Sequence, residues 1–277
     1  MKYDSIIGIT TYSAGNFLKG CLDSILNTVS DLSRNVIVIA NNSENDDYIA
    51  EVEALVQATR ANVTTMHFRR NRGIAAALNT MARSYDAHHV VLFNDDILVW
   101  PGWYEVMNST LTHPAIGVAG FMSYHGWAEW ERRNTQSTEE AMQHITYQHL
   151  IYPGGNCMQF RQAVFDEIGG FDEEFWMGCE DVDFSMRAME LGYFNIQTGV
   201  VEDRYRFMSH YGSGTSREGA NAAIELQQPD HTTVELLHGH IDHFAQKWGF
   251  PFPLTEEQQQ QLRARRNQKA AERGFSL

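Results

Sequence analysis

The sequence has no apolar run near the roughly 18 to 20 residues that a helix needs to cross a bilayer, which excludes a span built that way. Met1 to Thr11 lacks the basic start and long apolar stretch of a secretion signal, so a soluble, unexported, cytoplasmic protein is expected. Cysteine is scarce. Cys21, Cys157 and Cys179 are odd in number, widely spaced and without a CxxC pair, which fits neither a disulfide framework nor a structural zinc site. A reducing compartment is the simpler setting. Positive charge is also short: 21 Lys and Arg stand against 35 Asp and Glu, a formal net charge of -14. Sustained, sequence-independent grip on nucleic acid is therefore disfavoured, and a phosphorylated ligand would need a metal ion, helix N-termini or a few placed arginines. No internal repeat is visible.

What is present is ample material for a core. The chain has 277 residues, 43% hydrophobic and 12% aromatic, enough for one large domain or two small ones. The first 120 residues alternate apolar strands with amphipathic helices, the pattern of an α/β fold with a mostly parallel sheet covered on both faces. Strands are expected at Ser5 to Thr11, Val36 to Ala40, Val63 to Phe68 and Val90 to Phe93. Between them, Phe17, Leu18, Cys21, Leu22, Ile25, Leu26 and Val29 repeat at helical spacing, Ile49, Val52 and Val56 mark a second helix, and Ala75 to Tyr85 a third. Such sheets bind ligands at the carboxyl ends of their strands, so the polar loops after Thr11, Ala40 and Phe93 point to one crevice.

From Gly120 to Leu150 the pattern weakens into an irregular stretch carrying Trp, His and charge. Order returns after Tyr152-Pro153-Gly154-Gly155-Asn156, with a strand at Cys157 to Phe160 and a helix at Ala163 to Ile168. Glu180 to Leu191 reads as a helix stopped by Gly192 in the left-handed conformation. Two further helices follow, Thr232 to Trp248 and Thr255 to Glu272; the last is polar all round, which predicts a solvated or partner-seeking helix.

Three acidic or histidine-bearing segments carry candidate chemistry. Asn94-Asp95-Asp96 puts carboxylates at a strand's carboxyl end, where a hard divalent cation can take one or two protein oxygens and complete its shell with phosphate oxygens and water. Glu180-Asp181-Val182-Asp183 places three carboxylates at a helix start, more than a cap requires, so one is a candidate general base. Trp176 just before them can stack on an apolar substrate face. Met208-Ser209-His210-Tyr211-Gly212-Ser213-Gly214 sets one His among small residues suited to a close approach by phosphate.

In this order the segments resemble the inverting glycosyltransferases of family 2, which have the GT-A nucleotide-sugar-binding fold. The resemblance covers about residues 3 to 216. Ile7 to Tyr12 is similar to the family's opening strand, with Thr11 where many members carry proline; Val38-Ile39-Ala40-Asn41-Asn42-Ser43 is similar to its base-binding turn, with Asn41 at the usual aspartate. Asn71-Arg72-Gly73 and Asn79 match a further donor-side segment, and Asn94-Asp95-Asp96 is the DxD-type motif in an Asn-x-Asp form. Gly169-Gly170-Phe171-Asp172, Glu180-Asp181-Val182-Asp183 and Lys247-Trp248-Gly249 match later pieces. No single motif is specific; their order is.

The resemblance implies a metal-dependent inverting transfer from a UDP- or dTDP-type sugar to an acceptor hydroxyl. It gives Thr10, Thr11, Tyr12, Asn41, Asn42, Asn71, Gly73, Asn79, Asn94, Asp95 and Asp96 to the donor, Asp96 and His210 to a Mn²⁺ or Mg²⁺ ion, and Gly155 and Trp176 to the acceptor. Asp181 is the expected base, with Glu180 and Asp183 as substitutes. Residues 1–225 are the expected transferase domain, with a donor half to about 120 and an acceptor and catalytic half after it; 226–277 are a helical extension. Two rivals stand beside this. A nucleotidyltransferase would carry a basic, Gly-rich loop after the first strand, where Thr11-Tyr12-Ser13-Ala14-Gly15-Asn16 has no basic residue. A noncatalytic nucleotide-sugar binder would have no use for the helix-start carboxylates. The acceptor is expected to be a glycan, a lipid-linked glycan met peripherally at a membrane, or a small molecule. A modified base in DNA is a lesser option, with Arg132, Arg133 and the cluster Arg263, Arg265 and Arg266 as its basic face.

Overall fold

The structure is a computed structural model that describes residues 2–12, 17–59, 62–122, 124–125, 137–200, 207–210 and 233–277. Successive residues of three early strands are apolar on both sides, and the sheet uses both. Ile7, Ile9, Ile37, Ile39, Val91 and Phe93 enter one core with Leu18, Leu22, Ile25 and Trp103. Their neighbours Ile6, Val36, Val38, Val90 and Leu92 enter a second core with Ala77, Met81, Phe165 and Phe184. A side chain alternates faces every residue, so a strand buried twice reads as a continuous apolar run.

The described elements are β1 (Tyr3–Thr11), α1 (Phe17–Thr28), a short 3₁₀ turn, β2 (Asn35–Asn41), α2 (Asp46–Gln57), β3 (Val63–His67), α3 (Ile74–Ala82), β4 (Ala87–Asn94) and β5 (Ile97–Val99). Then come α4 (Trp103–Leu111), β6 (Ile116–Phe121), β7 (Tyr124–His125), α5 (Thr138–Met142), β8 (Ile145–Leu150), β9 (Cys157–Arg161), α6 (Gln162–Ile168) and α7 (Glu180–Glu190). β10 (Phe194–Val200), β11 (Met208–His210), α8 (Thr233–Trp248) and α9 (Glu256–Glu272) complete the order. An eight-stranded sheet runs β3-β2-β1-β4-β9-β6-β10-β8, with β9 and β8 opposed to the other strands. A small sheet, β5-β11-β7, lies beside it. No described helix is long and apolar enough to cross a membrane.

Two expectations need correction. The stretch from Gly120 to Leu150 is not simply irregular: α5 opens with a Ser137–Glu140 capping box, and β8 pairs antiparallel with β10. Residues 126–136, including Arg132 and Arg133, lie outside the described residues. The last helix is not simply solvated. Leu262, Arg266 and Ala270, one helical stripe, are buried, with the Arg266 guanidinium 4.2 Å from the centre of the Phe194 ring. Arg273 continues that attachment, bonded to Glu167 and to the Leu191 carbonyl. Gly192 ends α7 at φ +89° as expected, and a methyl group there would meet the α9 backbone at 2.8 Å. With Arg266 so engaged, the proposed basic face for DNA loses one of its members.

Candidate active site

Parallel pairing aligns the carboxyl ends of four strands. Thr10 lies opposite Asn94, Thr11 opposite Asn41, and Asn41 opposite His67. Their side chains mostly tie this edge together. Thr10 Oγ1 donates to the Phe93 carbonyl at 3.2 Å. Thr11 Oγ1 donates to Asp95 Oδ2 at 2.6 Å and lies 2.5 Å from the Tyr48 hydroxyl. Burial pushes the Asp95 carboxyl up to about 7; the Thr11 hydrogen bond opposes this and the charge of Asp96 adds to it. Tyr12 is partly exposed at the end of β1.

Asn41 is fully buried. Its Oδ1 accepts the Ser43 N–H at 2.8 Å, and its Nδ2 faces His67 Nδ1 at 3.3 Å. Because that amide nitrogen donates, His67 accepts at Nδ1 and presents its proton from Nε2 to Glu53 Oε1, 2.6 Å away. Asn42 fastens the next loop, donating to the Gly73 carbonyl and accepting from the Arg72 N–H, both at 3.3 Å. Asn71 accepts the Gly73 N–H at 2.9 Å. That loop also reaches Trp176: Ile74 N–H donates to the Trp176 carbonyl at 2.8 Å, and a Cβ on Gly73 would lie 2.6 Å from the Trp176 ring. Asn79 is bound elsewhere, as a bracket on the later turn, donating to Phe171 O and Glu173 Oε1 and accepting from Phe171 N–H.

Asp96 and His210 meet because of a register in the small sheet. β11 pairs antiparallel with β5 so that His210 lies opposite Ile97, the residue after Asp96. His210 Nε2 then stands 3.1 Å from Asp96 Oδ2. Tyr211 to Gly214 fall outside the described residues. A carboxylate and an imidazole at this separation suit a divalent ion that takes its other ligands from diphosphate and water. Among the described residues no group of three or more His, Cys, Asp or Glu forms a full cage.

The acidic helix start is set by its approach. Gly178 at φ +93° and Cys179 at φ +66° turn the chain sharply into α7. A non-glycine residue in that region is strained by roughly 1–2 kcal/mol, a device concentrated at functional sites. The three carboxylates then separate in role. Asp181 is partly exposed; its Oδ1 accepts the Val182 N–H at 2.9 Å, and the Gly155 N–H also bonds its carboxylate. Glu180 is buried, and its Oε2 has no hydrogen-bond partner among the described residues. Burial raises both acids, Glu180 to about 8 with the Asp181 charge adding. Asp183 is fully buried and saturated: Arg187 Nε at 2.8 Å, Lys247 Nζ at 2.8 Å and Trp248 Nε1 at 3.0 Å. Lys247 also reaches Asp172 at 2.5 Å. Asp183 therefore anchors α8 to α7.

One short segment joins the two acidic motifs. Gly155 touches Asp181, and its neighbour Asn156 accepts the Asn94 N–H at 3.3 Å. Asp181 and the Asn94-Asp95-Asp96 turn thus flank adjacent residues of a single loop. A methyl group on Gly155 would stand 2.6 Å from Asp181 Oδ2 and 2.9 Å from its Cγ. Gly155→Ala should displace that carboxylate and lower turnover about 100-fold with little change in donor affinity, read by initial rates and donor titration.

Residues 6–169 match the profile described as Glycosyl transferase family 2. The chain belongs to that family. Family 2 membership accompanies the GT-A fold, and solved structures agree with it. A mannosyltransferase from Pyrobaculum calidifontis, solved with GDP-Man and Mn²⁺, aligns over all of this chain and 77% of its own at a TM-score of 0.62 and 15% identity. S. aureus TarS 1-349 aligns over 97% of this chain and 72% of its own, at 0.59 and 14%. Among curated relatives, the pre-mycofactocin glycosyltransferase of Mycobacterium tuberculosis is 22% identical across 74% of this chain and 45% of that protein. The chain thus spans less than half the length of that relative.

The sequence named most of the residues at this crevice, Gly155 among them, but not the link through Asn156 to Asn94. Asn156 acts through its backbone, which no motif records. Lys247, which holds Asp172 and Asp183, was visible only as part of a longer pattern.

Proposed function

We propose that this chain is a metal-dependent, inverting glycosyltransferase that moves a sugar from a nucleoside diphosphate sugar to an acceptor hydroxyl. The observation that carries the reading is the Gly155–Asn156 bridge, which sets a partly exposed, raised-pKa carboxylate across from the Asn94-Asp95-Asp96 turn. Asp96 and His210 would hold Mn²⁺ or Mg²⁺, which when bound would offset the charge of the leaving diphosphate. Asp181 takes the proton of the acceptor hydroxyl as that oxygen attacks the anomeric carbon, and the diphosphate leaves from the opposite side. A single displacement of this kind inverts configuration. Residues up to about 120 serve the donor and those from 121 to 225 the acceptor, with UDP- or dTDP-type donors the first to try. Glycan, lipid-linked and small-molecule acceptors all suit a hydroxyl nucleophile.

The deciding experiment is a panel of UDP-, dTDP- and GDP-sugars with Mn²⁺ or Mg²⁺, read by diphosphate release and by melting temperature. A true donor present at 100 times its Kd should stabilise the fold by about 2.7 kcal/mol and release nucleoside diphosphate slowly without acceptor. Release of pyrophosphate from a nucleoside triphosphate would point instead to nucleotidyl transfer. Excess chelator should abolish turnover; full activity without metal would remove Asp96 and His210 from that role.

The raised acids make a further prediction. Glu180 holds its proton more tightly folded than unfolded, so its contribution to stability is full below about pH 4.5 and is lost as pH rises to about 8. Glu180→Gln should flatten the decline in melting temperature across that window, and an unchanged decline would contradict the burial argument.

A further inference from the structure

Tyr152 lies three residues before Gly155, on the same rigid segment. The Ile151 carbonyl is held by Asn195 Nδ2 at 2.7 Å, and Pro153 packs so closely on Gly120 that a Cβ there would meet its ring at 2.7 Å. The phenol is near enough to Asp181 for that carboxylate, after burial, to hold its proton more firmly. Facing Tyr152 is Phe252, from the loop between α8 and α9, with ring centroids 6.0 Å apart and planes inclined by 53°. Phe244 backs Phe252 at 5.6 Å, which fixes its orientation. Both rings are partly exposed, as are Asp181 and Trp176. Two inclined aromatic faces beside a carboxylate suit a ligand with an apolar face and hydroxyl edges.

We propose that Tyr152 and Phe252 form the acceptor subsite and that the accepting group is a pyranose ring stacked on them, one hydroxyl directed at Asp181. This rests on the glycosyltransferase reading above. The hydroxyl proton passes to Asp181, the oxygen bonds to the anomeric carbon of the donor, and the anomeric carbon–oxygen bond to diphosphate breaks with its electron pair leaving on the diphosphate. The subsite makes the C-terminal segment a wall of the active site.

Saturation-transfer NMR with methyl hexopyranosides tests the ring site without requiring turnover. The full chain should transfer saturation to the ring protons, with Kd in the millimolar range typical of a single stacked sugar. Tyr152→Leu and Phe252→Leu keep apolar volume and remove the aromatic face; each should weaken binding about tenfold. Tyr152→Phe keeps the ring and its packing, and should bind within about threefold of the parent. Equal losses in Tyr152→Phe and Tyr152→Leu would overturn stacking, as would unchanged binding in both leucine variants or no pyranoside binding at all. Retention on vesicles bearing a polyprenyl phosphate, or on a DNA duplex containing hydroxymethylated bases, with pyranosides ignored, would overturn the ligand class. Donor hydrolysis measured on the same protein tests the underlying reading separately: its absence alone would count against sugar transfer, and failure of pyranoside binding alone would count against this subsite.

Discussion

Asp181→Asn should lower turnover by about 10²- to 10⁴-fold while leaving donor affinity near that of the parent chain. The expected loss corresponds to roughly 3 to 5 kcal/mol of transition-state stabilisation, the ordinary worth of a placed base. Asparagine keeps the size of the carboxylate and can still meet the Gly155 N–H, so the segment that joins Asp181 to Asn94 should hold. Initial rates with saturating donor, together with a donor titration, separate the outcomes. A variant that turns over like the parent would leave Glu180 as the remaining partly free carboxylate at the helix start, because Asp183 has every oxygen engaged. The same rates followed against pH should rise as the Asp181–Glu180 pair loses its first proton, since burial raises both acids.

Asp183→Ala should act on stability instead. Asp183 is fully buried and receives Arg187, Lys247 and Trp248 Nε1, so its removal strands two cations and an indole N–H without their common acceptor. Breaking a buried pair from one side costs about 3–5 kcal/mol, which for a chain of this size lowers the melting temperature by about 10 °C. The interface affected is the one between α7 and α8, so the amide protons of α8 should lose protection first in hydrogen exchange. Lys247 retains Asp172 at 2.5 Å, which should keep the rest of the fold assembled. Parental melting behaviour combined with lost turnover would instead return Asp183 to the chemistry.

The contrast between these two aspartates marks how far local reading goes. Glu180-Asp181-Val182-Asp183 is a run of like residues at a helix start, and spacing alone treats its members as interchangeable. Only packing distinguishes them: Asp183 points to the incoming α8, Glu180 into the interior, Asp181 to the glycine of another loop. The final helix tells the same story. Its sequence is almost uniformly polar, yet Leu262, Arg266 and Ala270 fall on one stripe, and Arg266 covers apolar surface with a charged group by stacking on Phe194. A hydrophobicity pattern counts that arginine as exposed. β6 and β10 were missed for related reasons: Ile116–Phe121 is interrupted by glycines and Phe194–Val200 mixes polar with apolar residues, so their strand character comes from neighbours in the sheet.

The sequence by itself determined the early α/β alternation, because strands buried on both faces and helices buried on one leave periodic traces that need no partner to be seen. It also determined the order of the motifs that mark the family. Tertiary structure alone decided which of those residues meet. The β5–β11 register brings His210 to Asp96 from 114 positions away, and a two-residue bridge brings Asp181 to Asn94. Such meetings depend on backbone geometry and on register between distant strands, quantities that side-chain identities along one segment do not encode.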